Sequence, residues 1–441
     1  MPSEKEEVWR YTPIDDLDLD AHRPVLTSPG AGSSRARAFL DGMAADLPDR
    51  SALVLVHDGL VQSTDRDGLV AGVTVRALGD LDGGTDEDQV GRVLEGGDAL
   101  VRLNDAFLPD AVVVDVPAGV SLDAPVVVVH WCDGTREGAA PASFPRTVVR
   151  VGRNARASVV EVTAGAPGDE RALVVPVTEL SVDDGGQLSY VSVQLLGNTA
   201  WYLGRIAASA GRDATLRVFT AGLGGAYGRH RTDAAATGPG ATTELRSAYL
   251  GTGAQVHDVR TLQDHAAHHT TSDLLCKGAV AGTSRSVYSG LIRVRRGAVR
   301  TEAFQTNHNL VLDERAHADS VPNLDIEEND VRCSHASTVG PVDEDQRYYL
   351  ESRGIPPEQA ERLIVLGFFD DIVDRVPVPA VLGRLRREVA ERLADSLGIG
   401  VADAMDTMAA MSPRADTGGA VGRQGDHEAV GGAGGLVVDR G

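Results

Sequence analysis

The middle of the chain is a succession of short apolar runs rich in β-branched residues, mostly valine. Turns that contain Gly, Asp, Asn and Pro separate the runs, which recur every ~10 to 15 residues and predict an all-β domain over residues 106–340. Strand direction is not encoded in this periodicity, so a sandwich and a parallel β-helix both fit, although abundant small residues favour the tight coils of a β-helix. The clearest runs are AVVVDV from Ala111, PVVVVH from Pro125, RTVVRV from Arg146, ASVVEV from Ala157, ALVVPV from Ala172, QLSYVSVQLL from Gln187, ATLRVFT from Ala214, SVYSGLIRV from Ser286 and AVRTEAF from Ala298.

After residue 340 the apolar positions repeat with the period of an α-helix. Asp343 is placed to cap a first helix that ends at Gly354. Pro356 and Pro357 then open a second helix, which ends near Val373. A third helix is predicted from about residue 380. Its apolar stripe consists of Val381, Leu385, Val389 and Leu393.

The two ends of the chain do not continue these patterns. Residues 1–105 mix acidic segments with short helical patterns, as at 34–45 and 88–94. Residues 406–441 are glycine-rich with almost no periodic apolar positions, and we predict that they are disordered. Four regions result: an N-terminal helical and mixed region 1–105, a β core 106–340, a helical domain 341–405 and a tail 406–441.

Composition places the chain among ordinary globular proteins. Of its 441 residues (46.3 kDa), 42% are hydrophobic and 24% charged, which is enough to bury a sizeable core. The formal charge of −22 repels phosphate backbones and anionic lipids, so neither nucleic acid nor a membrane is an expected partner. The sequence has no membrane-spanning run, no secretory signal and only three scattered cysteines, so we expect reduced thiols and a cytoplasmic location.

The sequence lacks the motifs of several enzyme classes. Neither of its two lysines, Lys5 and Lys277, lies in a GxxxxGK[ST] loop, which excludes a P-loop ATPase. The GxSxG and HExxH motifs do not occur either. We therefore expect the isolated protein to hydrolyse no ATP and to release no sulfur from cysteine.

Several histidines fall close together before Cys276. Histidine and cysteine at this density could bind zinc or iron. The local sequence predicts a strand or turn, however, in which these rings would not obviously converge, so hydrogen-bonded turn histidines are the alternative. The residues concerned are His257, His265, His268 and His269.

A second constellation is Cys333 with His335. Residues i and i+2 of a strand share a face, so these two side chains should project side by side. A buried cysteine beside a surface histidine is the commoner outcome of such a pattern. A ligand pair is the functional alternative.

Longer segments carry a family resemblance. The stretches SDLLCKG (272–278), the continuous run 287–340 and DEDQRYYLESRGI (343–355) are similar to the core of the SufB/SufD family of iron–sulfur cluster assembly proteins, as is Trp9-Arg10-Tyr11-Thr12 to a motif near the start of SufD proteins. The triplet Cys333-Ser334-His335 resembles the SufD branch, whereas SufB proteins have Glu-His-Glu there. Arg332 replaces a lysine of the SufD pattern, and Ala336-Ser337 replaces Gly-Ala.

The resemblance implies a mainly β fold, a right-handed parallel β-helix core with helical N- and C-terminal segments. It also implies pairing with SufB through the β-helix, binding of the SufC ATPase by the C-terminal helices, and sulfur supplied indirectly by a cysteine desulfurase. His335 matches a histidine proposed to ligate the nascent cluster, which would be transient and shared with SufB, and Cys333 is its neighbour on the strand. The C-terminal region is rich in aromatic residues and leucine, including Tyr348. Candidate contacts for SufC are Tyr349, Arg353, Gly354, Leu366 and Phe368.

Two other functional classes remain open. One is a structural partner of SufB and SufC that binds no cluster, with His335 incidental. The other is a β-helix carbohydrate-active enzyme, which would need paired carboxylates in a groove. The candidates for such a pair are Asp325, Glu327 and Glu328.

Overall fold

A computed structural model describes residues 4–27, 34–80, 90–94, 98–133, 139–166 and 171–397. The predicted disorder of residues 406–441 lies outside these ranges. Among the described helices, none is long and apolar enough to cross a membrane.

The described residues form five α-helices and a long series of strands. The helices are α1 (Ser34–Asp46), α2 (Ala99–Phe107), α3 (Glu344–Ser352), α4 (Pro357–Val373) and α5 (Leu382–Leu397). The strands are β1 (His22–Pro24), β2 (Ala52–His57), β3 (Leu60–Asp65), β4 (Thr74–Ala77), β5 (Val112–Val116), β6 (Val126–Cys132), β7 (Ala140–Ser143), β8 (Arg146–Val151), β9 (Arg156–Gly165), β10 (Leu173–Val174), β11 (Val177–Val182), β12 (Gln187–Leu195), β13 (Trp201–Ala210), β14 (Thr215–Gly222), β15 (Tyr227–Ala236), β16 (Thr242–Gly251), β17 (Val256–His265), β18 (Thr271–Val280), β19 (Arg285–Val294), β20 (Thr301–Val311), β21 (His317–Ile326) and β22 (Val331–Gly340).

Successive strands of the core alternate between two sheets. Sheet A has the order β21-β19-β17-β15-β13-β11-β8-β5-β4, and sheet B has the order β22-β20-β18-β16-β14-β12-β9-β6-β2-β3. The pairs along both sheets are parallel, except β2 with β3 and β4 with β5 at the first coil. This is a parallel β-solenoid of about seven turns, which confirms the β-helix and excludes the sandwich. Its handedness stays a prediction.

Stacking in register explains why the coils are stable. Tyr227 pairs with Val256, and Val256 pairs with Arg285, so equivalent positions of successive coils lie above one another. Inward-facing aliphatic side chains of both sheets then form one continuous core, in which Val128, Leu216 and other residues are fully buried. Each such side chain contributes roughly 1.5–3 kcal/mol through burial.

The sequence pattern missed several strands. For example, β15 reads YGRHRTDAAA, and it contains no valine or isoleucine. Its inward positions are buried all the same, because His230, Thr232, Ala234 and Ala236 stack between the coils on either side. Small and polar residues therefore serve as strand residues here, through the ladder and not through intrinsic preference.

The C-terminal helices cover the outer face of sheet B. In α4, Leu366 and Phe369 are fully buried in one cluster with Phe219 and Leu250 of the sheet. Lys277, on β18, fixes this packing, because its Nζ lies 2.6 Å from an Asp371 carboxylate oxygen and donates to the Phe368 carbonyl at 3.1 Å. The helical domain is thus joined to the β-helix by a broad apolar contact.

Most of the predicted helix signals are confirmed. Asp343 caps α3 by accepting from the backbone N–H groups of Asp345 and Gln346. Gly354, at φ +86°, follows α3, and Pro357 is the first residue of α4. The stripe predicted for the third helix is buried in full: Val381, Leu385, Val389 and Leu393.

The N-terminal region gave one wrong prediction. Residues 34–45 form α1 as expected. The helix predicted at 88–94 is contradicted, because residues 90–93 form bends and residue 94 has no regular structure; residues 88–89 lie outside the described ranges. The helix of this region is α2, which begins after Asp98 because that carboxylate accepts from the N–H groups of Leu100 and Val101. The strands β2, β3 and β4 also extend the two sheets, so neither sheet breaks at residue 105.

Three buried histidines predict how stability depends on pH. Burial lowers the pKa of His230 to about 3, and those of His257 and His265 to about 4. Since the unfolded chain binds these protons below about pH 6.5, the free energy of unfolding should fall as the pH drops from about 6.5 towards 4, by as much as about 4 kcal/mol per pH unit for three protons.

Urea unfolding followed by circular dichroism between about pH 7 and pH 5 would measure this slope. His265→Gln should remove about one third of it, whereas His317→Gln, at an exposed position, should leave it unchanged. A free energy of unfolding that is flat across this range would contradict the prediction.

Candidate functional site at the open end of the solenoid

The last coil leaves two strand edges open. Within the described residues, β21 pairs only with β19 and β22 pairs only with β20. Their outer N–H and C=O groups are therefore available to another strand. Apolar side chains that would be covered by a further coil, such as Leu324, Ile326 and Val339, are exposed here.

The predicted pair lies on β22 and points towards the solenoid axis. Cys333 is in register with Ala303 and His335 with Gln305, and both partners on β20 are buried inward-facing residues. Arg332 projects from the other face, where it forms an ion pair with Glu302 at 3.2 Å. The shared face of Cys333 and His335 is thus confirmed.

Cys333 is the more protected member of the pair. It is half-buried and packs with Val331 against an apolar cluster that includes Ile292 and Ala303. Burial raises the pKa of the Cys333 thiol, an effect only partly opposed by a hydrogen bond from the Ala303 backbone. The thiol is therefore largely protonated near neutral pH, and it must lose its proton before it can bind a metal.

His335 is exposed, and its imidazole makes no hydrogen bond or ion pair within the described part of the chain. An imidazole in its neutral form offers a nitrogen lone pair to a metal ion. Its register partner Gln305 is 1% exposed, and neither amide atom of Gln305 has a hydrogen-bond partner among the described residues.

Gln305 was not identified from the sequence. It lies one strand spacing, about 4.8 Å, from the His335 backbone, and its unsatisfied amide is unusual for a buried group. The only signal available was the alternation of polar residues along β20, and that pattern does not reveal which strand lies next to it.

A chain of hydrogen bonds links this end to the interior. Ser337 Oγ donates to Ser320 Oγ at 2.6 Å, and Ser320 Oγ donates to Asn307 Oδ1 at 2.8 Å. Asn309 reaches the same Asn307 oxygen at 2.6 Å. Polar groups that flank His335 are therefore held in place across the two sheets.

The four upstream histidines do not form a metal centre. Both ring nitrogens of His265 are hydrogen-bonded, to Thr270 at 2.7 Å and Ser272 at 2.8 Å, and His268 contacts His269 in an exposed turn. His257 lies at the other end of β17 from His265. Within the described residues, these side chains belong to no group of three potential ligands. Hydrogen-bonded turn histidines are the alternative that fits residues 265–269.

Two of the three carboxylates proposed for a carbohydrate-active enzyme have other partners. Asp325 forms an ion pair with Arg293 at 3.2 Å. Glu328 accepts from the backbone N–H groups of Asn329 and Gly297, which lowers its pKa. A glycosidase acid needs a raised pKa, so this arrangement gives no support to that alternative.

The candidate SufC contacts lie in two different environments. Tyr349 is 56% exposed with the Arg353 guanidinium 5.2 Å from its ring centroid, and Gly354 ends the same helix at the surface. Leu366, on α4, is fully buried, so it stabilises the helical domain from within and presents no surface to a partner. Phe368 is partly buried, with Lys277 Nζ 4.7 Å from its ring centroid.

The three thiols should differ sharply in reactivity. Cys132 and Cys276 are fully enclosed, and burial raises the pKa of both, that of Cys276 to about 12. We expect iodoacetamide to modify only Cys333 in the folded protein, several-fold more slowly than a cysteine of the unfolded chain near pH 8, and faster as the pH rises.

Peptide mass spectrometry before and after denaturation would follow each thiol separately. Cys333→Ser should abolish labelling of the folded protein and leave labelling of the two other thiols after unfolding. Modification of Cys333 at the rate of the unfolded chain would show that this side chain is not protected.

Comparison with known proteins places this geometry in a family. The SufBD core domain of the SUF system for FeS cluster assembly matches residues 134–368, more than half of the chain. An iron–sulfur cluster assembly SufBD family protein of Mycobacterium tuberculosis is 31% identical over 405 residues, 89% of each chain. The chain belongs to the SufB/SufD family. The match ends in α4, and so includes both open-end strands and α3.

Two relatives bear the name SufD, the branch that the triplet at residues 333–335 resembles. The iron–sulfur cluster assembly protein SufD of Escherichia coli is 25% identical over 393 residues, 89% of each chain. The protein of the same name from Bacillus subtilis is 29% identical over 292 residues, 65% of each chain. Membership in the SufB/SufD family confirms the resemblance and makes this chain a SufD-family component of SUF iron–sulfur cluster assembly.

Proposed function

We propose that this chain pairs with SufB through the open end of its β-solenoid and helps to hold the nascent iron–sulfur cluster there. The observation that carries the proposal is the position of His335. Its exposed imidazole lies on a strand with one open edge, points towards the solenoid axis, and has no partner among the described residues. The cluster is the cargo of the complex, and its remaining ligands would come from the partner.

The ligand count supports a shared site. Iron–sulfur clusters usually take about four protein ligands, mostly thiolates. Cys333 and His335 supply two at most, and the Cys132 and Cys276 thiols are enclosed in the core. A site completed across an interface is therefore more consistent with these residues than a site within this chain.

The edge strands support pairing between solenoids. A partner strand could add to β21 or β22 through backbone hydrogen bonds, while Leu324 and Val339 lose their exposure to water. A second solenoid with matching coils would continue both sheets, as successive coils do within this chain.

The surface of α3 supports a second contact, with the SufC ATPase. Exposed Tyr348 and Tyr349 stand beside Arg353 on a helix that has no buried residue of its own. Tyrosine and arginine are the residues most enriched in the energetic centres of interfaces. With SufC as the ATPase, this chain would serve as a non-catalytic subunit.

Co-expression with a candidate SufB and SufC, followed by affinity purification and size measurement, tests the proposed complex. We expect all three chains to elute together. Substituting Leu324→Arg on the open end should release SufB and leave SufC bound. Elution of this chain without SufB, under conditions in which SufB and SufC remain folded, would overturn the pairing.

A further inference from the structure

A deep groove lies on the outer face of sheet A, opposite the sheet that the C-terminal helices cover, and it reaches the edge strand β21 at one end. Its volume is about 780 Å³, within the range of small-molecule sites. One wall is the N-terminal segment with Val8, Arg10 and Tyr11. The floor is formed by five neighbouring strands of sheet A, namely β13, β15, β17, β19 and β21. Eight arginines and two aspartates line it.

Three of these arginines form a row across adjacent strands. Arg205, Arg231 and Arg260 are in register on β13, β15 and β17, so their backbones lie one above another at about the strand spacing of 4.8 Å. Like charges opposite one another destabilise a sheet. Neighbouring carboxylates offset the repulsion between these arginines, as in the ion pair of Arg205 with Asp233 at 3.0 Å.

Asp258 orients Arg260 without using all of its donors. In Arg260, Nε donates to Asp258 at 2.5 Å and Nη2 donates to the Arg10 carbonyl at 3.0 Å. A guanidinium has five N–H donors, and the contacts of Arg260 within the described residues leave Nη1 for an anion. Such forked donors match phosphate oxygens.

The groove also gives a role to the motif Trp9-Arg10-Tyr11-Thr12. The Arg229 guanidinium lies 3.8 Å from the centre of the Trp9 ring, forms a buried ion pair with Asp258 at 2.5 Å and donates to the Val8 carbonyl. The motif is thus fixed to sheet A, and the exposed ring of Tyr11 is held at the rim of the groove.

The charge of the groove is opposite to that of the chain. Arginines outnumber aspartates four to one along its lining, whereas the whole sequence carries a formal charge of −22. Carboxylates offset part of this charge, since Asp98 contacts Arg231 and Asp325 contacts Arg293, each at 3.2 Å. The excess of positive charge in a concave site concentrates anionic ligands. Two residues along the strands from the arginine row, the next row of the lining is Ala207, Asp233, Leu262 and Leu291, and its last two members form an adjacent apolar pair.

We propose that this groove binds a small molecule that carries phosphate groups and a planar ring, the class of the nucleotides. The phosphates would lie on the row of Arg205, Arg231 and Arg260, and the ring would cover the Leu262 and Leu291 pair or stack on Tyr11. The site is separate from His335 and does not depend on the proposed pairing with SufB.

Isothermal titration of the purified full-length chain tests this, with ADP, inorganic pyrophosphate and adenosine as probes at one fixed ionic strength. We expect ADP to bind, pyrophosphate to bind more weakly, and adenosine to give no measurable binding. Arg260→Gln should weaken ADP at least tenfold, the usual effect of losing one charged hydrogen-bond donor.

A second variant has a closely matched control. Arg293, on β19 in the groove, is 40% exposed with Nε 3.2 Å from Asp325; Arg217, on sheet B, is 39% exposed with Nε 3.2 Å from Glu244. Arg293→Gln should weaken ADP several-fold, and Arg217→Gln should have no effect. Because Arg293 is exposed, its loss leaves the fold intact even if Arg260→Gln does not fold.

Three results would overturn the proposal. The first is the absence of binding by both ADP and pyrophosphate, and the second is an equal affinity for ADP in the Arg293→Gln and Arg217→Gln variants. The third is binding of a polyglutamate peptide in place of ADP, which would identify the groove as a docking site for an acidic protein.

Discussion

Replacing His335 by alanine should reduce cluster yield in the complex with SufB and SufC to a small fraction of the unmodified level. The substitution should leave the fold intact, because an exposed side chain without hydrogen bonds contributes within about ±0.5 kcal/mol to stability. It should also leave SufB pairing intact, since backbone groups and apolar side chains carry that contact. Anaerobic reconstitution, with iron and sulfide content and visible absorbance as readouts, measures the yield.

The neighbouring edge strand offers a matched control. His317, on β21, is also exposed, and its Nε2 lies 3.1 Å from an Asp319 carboxylate oxygen. His317→Ala should assemble clusters at the unmodified level. Cys333→Ser should have a smaller effect than His335→Ala, because the protected thiol contributes less to iron binding than the free imidazole.

The same experiment separates the remaining alternatives. Normal assembly in His335→Ala with failure in Cys333→Ser would reverse the ranking of the two residues. Normal assembly in both would make β22 a structural strand and favour a partner of SufB and SufC that binds no cluster. Normal SufB pairing in every variant is required for either conclusion.

The period-two pattern was enough to place Cys333 and His335 on one face, because that relation depends only on local strand geometry. It could not choose between a sandwich and a β-helix, since alternation is the same in both. Gln305 escaped detection for a related reason. Its position beside His335 depends on the register between β20 and β22, and no local signal encodes that register.

Helix signals were accurate where the cause was local. Asp343, Gly354 and Pro357 act through backbone groups within a few residues, so the helix ends could be predicted. Which face of a helix is covered depends on a distant sheet. For that reason the sequence placed Leu366 among the candidate surface contacts, although it lies on the face of α4 that packs against sheet B.

The helical domain also limits how the SufC contact can be tested. Deletion of residues 356–400 would remove α4 and α5, and so expose the apolar outer face of sheet B around Phe219 and Leu250. Loss of SufC binding after such a deletion could result from misfolding alone. Substitutions on α3 avoid this difficulty, because none of its residues is buried.

The double substitution Tyr348→Ser and Tyr349→Ser should therefore abolish SufC binding without unfolding the chain. The two rings are 72% and 56% exposed, and tyrosines at the centre of an interface commonly contribute about 2 kcal/mol each, so affinity should fall by about a hundredfold or more. Titration calorimetry or affinity capture with purified SufC gives the measurement.

Two controls make the result specific to α3. Tyr11→Ser removes a ring that is 53% exposed at the distant groove, and deletion of residues 412–441 removes the glycine-rich tail. Both should bind SufC with unchanged affinity, because Tyr11 belongs to the groove on sheet A and the tail sequence contains no aromatic residue. If the tail deletion alone abolished binding, or if the double substitution left it unchanged, the SufC contact would have to lie outside α3, and the exposed tyrosines would need another partner.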